Sequence, residues 1–312
     1  MLYQTQAEWL AAPKKRVLFF GMSGLGKTYL ASMLRASGEW FHYSVDYRIG
    51  TRYMGELIAD NFKREAMKVP FLRELLLSDS VYIASNITFE NLAPLSTYLG
   101  KPGSVTRGGL EFDEYMRRQD QHRLAEIAAL LDSGHFIRRA QEIYGLDHFV
   151  CDSGGSICEV VDPFADADPV LDALERELLL VWIKGSEAHT AELVRRFDRA
   201  PKPMYYQPDF LDRAWTDYRV ENGLREEQVN PDDFIRWTYA RALAHRQPRY
   251  RAMARRGVTL LAEEVAQVGT PDELVALIGR AIERRPAAEP AEDGAAGKAA
   301  ARPGGKIDRK DA

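Results

Sequence analysis

The segment Gly21-Met22-Ser23-Gly24-Leu25-Gly26-Lys27-Thr28 fits the pattern G-x-x-x-x-G-K-[ST] at every fixed position. An apolar run at residues 17–20 precedes it and a segment with helical spacing follows, which is the strand–loop–helix context of a phosphate-binding loop. In such a loop, glycines let backbone N–H groups turn towards the phosphates, and the following helix adds its positive dipole end. These eight residues and the adjacent Tyr29 are therefore predicted to bind a nucleoside triphosphate.

The end of this loop also predicts a metal site. Lys27 is expected to bridge the β- and γ-phosphates, and the Thr28 hydroxyl is expected to bind Mg²⁺. Asp152, after the apolar run at residues 148–151, is the second predicted metal-associated residue, with a turn-capping acid as the alternative. ATP is favoured over GTP because the base-reading sequence N-K-x-D is absent. Ser153 follows Asp152 where a hydrolytic motor would have a second acid.

Short apolar runs alternate with longer segments of helical spacing along most of the chain. This alternation is typical of a doubly wound α/β fold, in which helices cover both faces of a parallel sheet. The predicted strands lie at residues 17–20, 41–45, 148–151, 179–184 and 258–261. The clearest predicted helices lie at residues 28–36, 111–132, 168–177, 188–197 and 231–246, and another begins at Pro271. A further apolar run occupies residues 81–85.

Five segments around the loop resemble, in order, those of the shikimate kinase and gluconate kinase group of P-loop phosphotransferases. They are Ser44-Val45-Asp46-Tyr47-Arg48-Ile49, Tyr115-Met116-Arg117-Arg118-Gln119-Asp120, Asp152-Ser153-Gly154-Gly155-Ser156-Ile157, Ala200-Pro201-Lys202-Pro203 and Arg246-Gln247-Pro248-Arg249-Tyr250. The resemblance covers about residues 16 to 283 and implies a five-stranded sheet in the order 2-3-1-4-5. Ser156 stands where the group has a third glycine, which leaves the substrate type open.

The resemblance also implies roles for individual residues. Asp46 would orient or deprotonate an acceptor hydroxyl, and Arg117 and Arg246 would hold an anionic acceptor through their guanidinium groups. Gly154 and Gly155 would let the backbone pass close under the acceptor. The residues themselves leave other interpretations open: Asp46 as a solvent-facing turn acid, Arg117 on an exposed helix face, and Arg246 as a helix-ending arginine.

The lid of these kinases closes an arginine over the transferring phosphate. Lys202 occupies that position, and Arg199 is a candidate substitute because lysine lacks the planar fork of arginine. The alternative is that these cations only complement the carboxyl end of the preceding helix. The predicted catalytic residues are thus Lys27, Asp46, Arg199 and Lys202.

The predicted organisation is one kinase-like domain with additions. Residues 1–12 form an N-terminal extension, residues 13–285 the domain, and residues 286–312 a disordered tail rich in Ala, Gly and Pro. An insertion at residues 50–109 enters on the acceptor side, and an extended lid occupies residues 198–230. Cations in the insertion would contact an acidic acceptor or form a solvated helix face. Aromatics in the lid would stack on a base or form a small satellite core.

Composition limits the expected partners and location. The 312 residues include 42 Lys and Arg against 46 Asp and Glu, so the net charge of −4 provides no basic excess for nucleic acid or an anionic membrane. Cys151 and Cys158 are too few for a disulfide framework, and the longest apolar run, residues 178–183, is too short to span a bilayer. A cytoplasmic location is predicted.

The favoured function is an ATP- and Mg²⁺-dependent phosphotransferase that acts on a hydroxyl of a polar, anionic small molecule. One alternative is a regulatory P-loop ATPase that binds a protein partner through its insertions. Another is a nucleoside or nucleotide kinase, which aromatic rings stacked across the cleft from Lys27 would favour.

Overall fold

A computed structural model describes residues 2–285, and the predicted tail at residues 286–312 lies outside them. Its centre is a five-stranded parallel sheet with the order β2-β3-β1-β4-β5. The predicted α/β fold and its strand order are therefore confirmed. The strands are β1 (Arg16–Phe20), β2 (Trp40–Ser44), β3 (His148–Asp152), β4 (Leu179–Lys184) and β5 (Val258–Leu261).

Helices fill the connections between the strands and pack on the sheet. They are α1 (Gln6–Ala11), α2 (Lys27–Ala36), α3 (Val45–Arg48), α4 (Gly55–Ala66), α5 (Pro70–Leu77), α6 (Ala93–Leu99), α7 (Phe112–Leu131), α8 (Ser133–Tyr144), α9 (Ile157–Val160), α10 (Pro169–Glu177), α11 (Glu187–Arg199), α12 (Pro208–Asn222), α13 (Pro231–Ala254), α14 (Ala262–Val265) and α15 (Pro271–Glu283). A π-helical turn, Ile49–Tyr53, follows α3. The central strand β1 is buried from Val17 to its end, as expected for a parallel sheet covered on both faces.

One helix extends further than the sequence indicated, and one apolar run forms no strand. The predicted helix at residues 231–246 continues through Pro248 to Ala254. Beyond the proline, the buried Arg249 guanidinium donates to the carbonyl oxygens of Cys158 (2.6 Å) and Val161 (2.8 Å), which anchors the last turns. Arg246 therefore lies inside the helix, and its interpretation as a helix-ending arginine is wrong. Residues 81–85 are not a strand.

The aromatic residues of the predicted lid pack into the protein. Trp215 on α12 stacks on Phe112, with ring centroids 4.7 Å apart, and meets the edge of Phe234 at 5.1 Å. Tyr218 also contacts Phe234, and Tyr206 is fully buried. These rings join α7, α12 and α13 and are continuous with the main hydrophobic core. The aromatics therefore pack inside the protein, as one of the two interpretations expected, but within this core instead of a separate satellite core.

The N-terminal extension is integrated into the fold through a single large side chain. Trp9 on α1 is fully buried and donates from Nε1 to the carbonyl oxygen of Val275 on α15, at 2.8 Å. The ring of Tyr3 meets it edge-on, with centroids 4.9 Å apart. The six-residue α1 is too short to be stable alone, so this packing holds it in place.

None of the helices within residues 2–285 is both long and apolar enough to cross a bilayer.

Replacing Trp9 by Ala is expected to lower the free energy of unfolding by about 3–5 kcal/mol, because it removes a fully buried ring and leaves a cavity between α1 and α15. Leu10→Ala is the matched control on the same helix, since Leu10 is 46% exposed, and its effect should stay within about 0.5 kcal/mol. Urea unfolding monitored by circular dichroism measures both. Equal effects of the two substitutions would contradict the anchoring role of Trp9.

Candidate active site

The phosphate-binding loop, Asp46 and Asp152 lie together at the carboxyl edge of the sheet. In the strand register, Asp152 at the end of β3 is beside Phe19 of β1 and Ser44 of β2. The loop begins directly after β1, and Asp46 lies two residues beyond the end of β2. Open α/β sheets bind their ligands at this edge, where the chain crosses to opposite sides of the sheet.

The loop surrounds the side chain of Lys27. This lysine is only 6% exposed, and its Nζ donates to the carbonyl oxygens of Gly21 (2.9 Å) and Met22 (3.0 Å). Burial lowers the pKa of the ammonium group, while the nearby carboxyl groups of Asp152 and Asp46 raise it. The loop therefore holds a buried cation between main-chain oxygens and two acids, at the place where phosphate oxygens are expected.

The cavity beside the loop suits a triphosphate with its magnesium ion. It has a volume of about 370 Å³, and Gly26, Thr28, exposed Tyr29 and Asp152 form part of its wall. Gly26 has a left-handed φ of 94° and caps α2, so the positive end of this helix borders the cavity. Burial raises the pKa of Asp152, while Lys27 and a hydrogen bond from Thr28 lower it. A hydroxyl and a carboxylate side by side are the hard oxygen ligands that Mg²⁺ prefers.

A histidine that the sequence analysis did not single out lies next to Asp152. His42 Nε2 is 3.9 Å from the Asp152 carboxyl group, and its ring stacks on Phe89 with centroids 5.0 Å apart. Burial, assisted by the charge of Arg35, lowers the pKa of His42 to about 4. The imidazole is therefore neutral near pH 7 and adds no charge to the site.

Close packing positions Asp46 against the glycine pair. A Cβ atom on Gly154 would lie 2.6 Å from Asp46 Oδ1, and one on Gly155 would lie 3.1 Å from Ser23 Oγ. The Tyr250 hydroxyl donates to the carbonyl oxygen of Gly155 and so holds this turn in place. Any larger residue at position 154 would displace the Asp46 carboxyl group.

The protonation of Asp46 is tuned by its neighbours. Burial raises its pKa to about 6, the negative charge of Asp152 raises it as well, and Lys27 lowers it. A carboxyl group with a pKa near 6 is ionised at neutral pH and remains basic enough to accept a proton.

A second cavity, of about 150 Å³, adjoins the phosphate cavity. Ser23, Asp46, Gly154 and Gly155 belong to the walls of both. The rest of the wall of the second cavity consists of Leu92, Leu95, Ser96, Leu99, His122, Ser156, Pro203, Met204, Tyr205 and Arg246. Asp46 therefore stands at the boundary between a phosphate site and a pocket large enough for a small ring.

A buried polar cluster lies behind the second cavity. Ser156 Oγ donates to both carboxyl oxygens of Glu126, at 2.9 and 2.7 Å, and His122 Nδ1 lies 3.7 Å from the same carboxyl group. Burial, followed by the charge of Asp46, raises the pKa of Glu126 to about 8. Burial also lowers the pKa of His122 to about 4. Both groups are therefore uncharged near pH 7.

Arg246 reaches the second cavity as one half of a buried ion pair. Its Nη2 donates to Glu159 Oε2 at 2.5 Å and to the carbonyl oxygen of Tyr205 at 2.8 Å. Arg246 and Glu159 are 4% and 3% exposed, so neither charge is solvated. The pair also acts on Glu126, whose pKa Arg246 lowers and Glu159 raises.

The structure does not bring Arg117 and Arg199 to either cavity. Arg117 is exposed on α7 and donates to the Glu114 carboxyl group from Nε and Nη2, both at 2.7 Å. Arg199 is exposed at the end of α11. Lys202 lines a larger crevice, of about 1120 Å³, that adjoins the second cavity at Ser96 and Pro203. Of the cations predicted to contact the acceptor or close over the phosphate, only Arg246 is thus in the wall of the small pocket.

Sequence reasoning missed the acids and the histidine that surround this pocket. Glu159 offered a weak signal, because it is an acid within the apolar run at residues 157–161. Glu126 offered a similar signal, as an acid within the apolar run at residues 124–131, whereas the sequence around His122 is polar and charged and offered none. The fold brings them together: Ser156 donates to Glu126 across 30 residues of sequence, and His122 approaches the same carboxyl group.

Comparisons with known proteins find matches among solved structures alone. No protein-family model matches the chain, and a search of curated proteins finds no match. Among solved structures, a shikimate kinase from Bacteroides thetaiotaomicron is similar, with 15% identity and a TM-score of 0.33. The alignment covers 86% of this chain and 95% of the kinase.

The raised pKa of Glu126 predicts a specific pH dependence of stability. Between the ordinary glutamate pKa of 4.5 and about 8, the folded protein keeps a proton on Glu126 that the unfolded chain has released. The free energy of unfolding should therefore fall as the pH rises through this range, by up to about 1.4 kcal/mol per pH unit from this group. Glu126→Gln lacks the titrating proton, so the stability of the wild type relative to this variant should decline from pH 4.5 to pH 8.

Urea unfolding at a series of pH values measures this difference. Glu142→Gln, at an exposed position on α8, is the control and should give a curve parallel to that of the wild type. A constant difference between wild type and Glu126→Gln across the range would show that Glu126 is ionised in the folded protein.

Proposed function

We propose that the protein transfers the γ-phosphoryl group of ATP to a hydroxyl group of a small-molecule acceptor. The observation that carries this proposal is the position of Asp46 on the shared wall of the two cavities. An acceptor in the small cavity would present its hydroxyl group to this carboxylate and to the phosphate site at once. Such positioning is the main contribution that a protein makes to phosphoryl transfer.

Each residue of the site has a role in this reaction. Lys27 would bind the β- and γ-phosphate oxygens in place of its present carbonyl partners, and Thr28 and Asp152 would hold Mg²⁺ directly or through water. Bound Mg²⁺ would neutralise phosphate charge. Asp46 would orient the acceptor hydroxyl and take its proton as the new oxygen–phosphorus bond forms and the bond to the ADP oxygen breaks. Gly154 keeps the space that this carboxylate occupies.

Label transfer from ATP tests the proposal directly. Purified protein, Mg²⁺ and γ-labelled ATP are incubated with a metabolite extract, and labelled products are separated from free phosphate. The wild type is expected to form a labelled organic phosphate, and Lys27→Ala is expected to form none because the phosphates lose their buried cation. Asp46→Asn should reduce transfer by about 10²–10⁴-fold with little change in ATP affinity. Label that appears only as free phosphate would support the alternative of a P-loop ATPase.

The ionisation of Asp46 also predicts how kcat/KM depends on pH. Because Asp46 has to be ionised to accept a proton and its pKa is about 6, kcat/KM should fall about tenfold per unit as the pH drops below 6. Asp152 and Lys27 are the charged groups that act on it: Asp152 raises the pKa of Asp46 and Lys27 lowers it. Initial rates between pH 4.5 and pH 8 measure the profile. A rate that is flat from pH 5 to pH 7 would exclude Asp46 as the proton acceptor.

A further inference from the structure

In the wall of the small cavity, the positive charge of Arg246 is compensated by Glu159, so the Asp46 carboxylate is the other charged group among the described wall residues. Arg246, the one cation among its described wall residues, is bound to the carboxyl group of Glu159 through Nη2. Because both members of the pair are buried, an anion that approached Arg246 would also be repelled by the negative charge of Glu159. The pair is therefore close to neutral as seen from the cavity.

Apart from Asp46, the remaining hydrogen-bonding side chains in the described wall of this cavity carry no charge. Ser156 and His122 line it, and the Glu126 carboxyl group lies directly behind them, hydrogen-bonded to Ser156 Oγ. Burial keeps both groups neutral, because it raises the pKa of Glu126 and lowers that of His122; the hydrogen bond from Ser156 acts in the opposite direction on Glu126 and is outweighed. The cluster offers hydroxyl and imidazole groups that bind other hydroxyls and has no fixed charge.

The opposite side of the cavity is apolar. Leu92, Leu95 and Leu99 approach from the insertion, and Met204 approaches from the lid segment. Burying an unpaired charge against such a wall costs several kcal/mol, whereas the carbon face of a hydroxylated ring or chain packs on it favourably. The volume of about 150 Å³ is suited to a group of six or so heavy atoms.

Three other cations that could bind an anionic acceptor have partners elsewhere. Arg48 forms an ion pair with Asp132 at 2.7 Å, to which Tyr53 also donates a hydrogen bond at 2.7 Å. Lys63 pairs with Asp60 and Lys68 with Glu65 on the same stretch of chain, as expected for a solvated surface. None of these three cations lines the small cavity.

We propose that the acceptor is an uncharged polyhydroxy compound whose size is close to that of a six-membered ring, and that the neutral cluster of Ser156, Glu126 and His122 recognises its hydroxyl groups. This inference rests on the phosphotransferase function proposed above and replaces the anionic acceptor that the resemblance implied. An anion in the small cavity would face Asp46 with no unpaired cation among the described wall residues. A cation would pair with Asp46 and so occupy the carboxylate that the transfer requires.

Separation of the acceptor pool by charge tests the inference. A metabolite extract is divided by ion exchange into anionic, cationic and uncharged fractions, and each fraction is incubated with the protein, Mg²⁺ and γ-labelled ATP. Labelled organic phosphate should appear from the uncharged fraction. Transfer only to compounds from the anionic or the cationic fraction would overturn the inference and leave the phosphotransferase function standing. Free phosphate as the sole product in every fraction would instead overturn the phosphotransferase function, and the inference with it.

A substitution in the cluster provides the second test, with the acceptor found in the uncharged fraction. Ser156→Ala removes the hydroxyl between Glu126 and the cavity, so KM for this acceptor should rise at least about tenfold while Kd for Mg·ATP stays within about threefold. Ser37→Ala, at the far end of α2, is the control and should change neither quantity. An unchanged KM, or equal losses in acceptor and ATP binding, would show that Ser156 has no part in recognition.

Discussion

The site depends on the burial of one ammonium group. Lys27 is enclosed by the loop that follows β1, and its charge is compensated by two carbonyl oxygens and by the fields of Asp152 and Asp46. Removal of a cation from water is unfavourable unless opposite charge surrounds it, so the fold has to bring both acids to this edge of the sheet. The parallel order β2-β3-β1 does so, because it places the ends of β2 and β3 beside the loop.

The same constraint explains the pattern of protonation around the pocket. Asp152 acts on Asp46, and Asp46 and Glu159 both act on Glu126. The buried cations Lys27, Arg246 and Arg249 act on these acids in the opposite direction. In the folded protein, Glu159 forms an ion pair with Arg246, and Glu126 keeps its proton near pH 7. Asp46, which is only partly buried and lies close to Lys27, can then remain ionised near neutral pH. The fold thus separates the pKa values of neighbouring carboxyl groups, a separation typical of acid–base sites.

The sequence predicted the sheet and the loop well because both depend on local patterns. Each observed strand begins and ends within one residue of its prediction, since the buried strands of a parallel sheet are short apolar runs bounded by polar residues. The extension of α13 past Pro248 was missed because it depends on tertiary hydrogen bonds from Arg249. Arg117 fits the sequence pattern expected for an acceptor-binding arginine, but in the structure it forms an ion pair with Glu114, one turn away on the same helix, and faces solvent. The role of Glu126 was missed because its partner Ser156 is 30 residues away in sequence.

Ser156, the residue after the glycine pair, connects these features. A serine side chain at this position needs a partner once the turn is packed, and Glu126 on α7 supplies it within hydrogen-bonding distance. Burial, and then the charges of Asp46 and Glu159, oppose ionisation of Glu126, so its protonated form is the stable one near pH 7. Ser156 thus brings a hydroxyl group and a neutral carboxyl group close to the Asp46 carboxylate. The residue that follows the glycine pair therefore contributes to the chemistry of the small cavity.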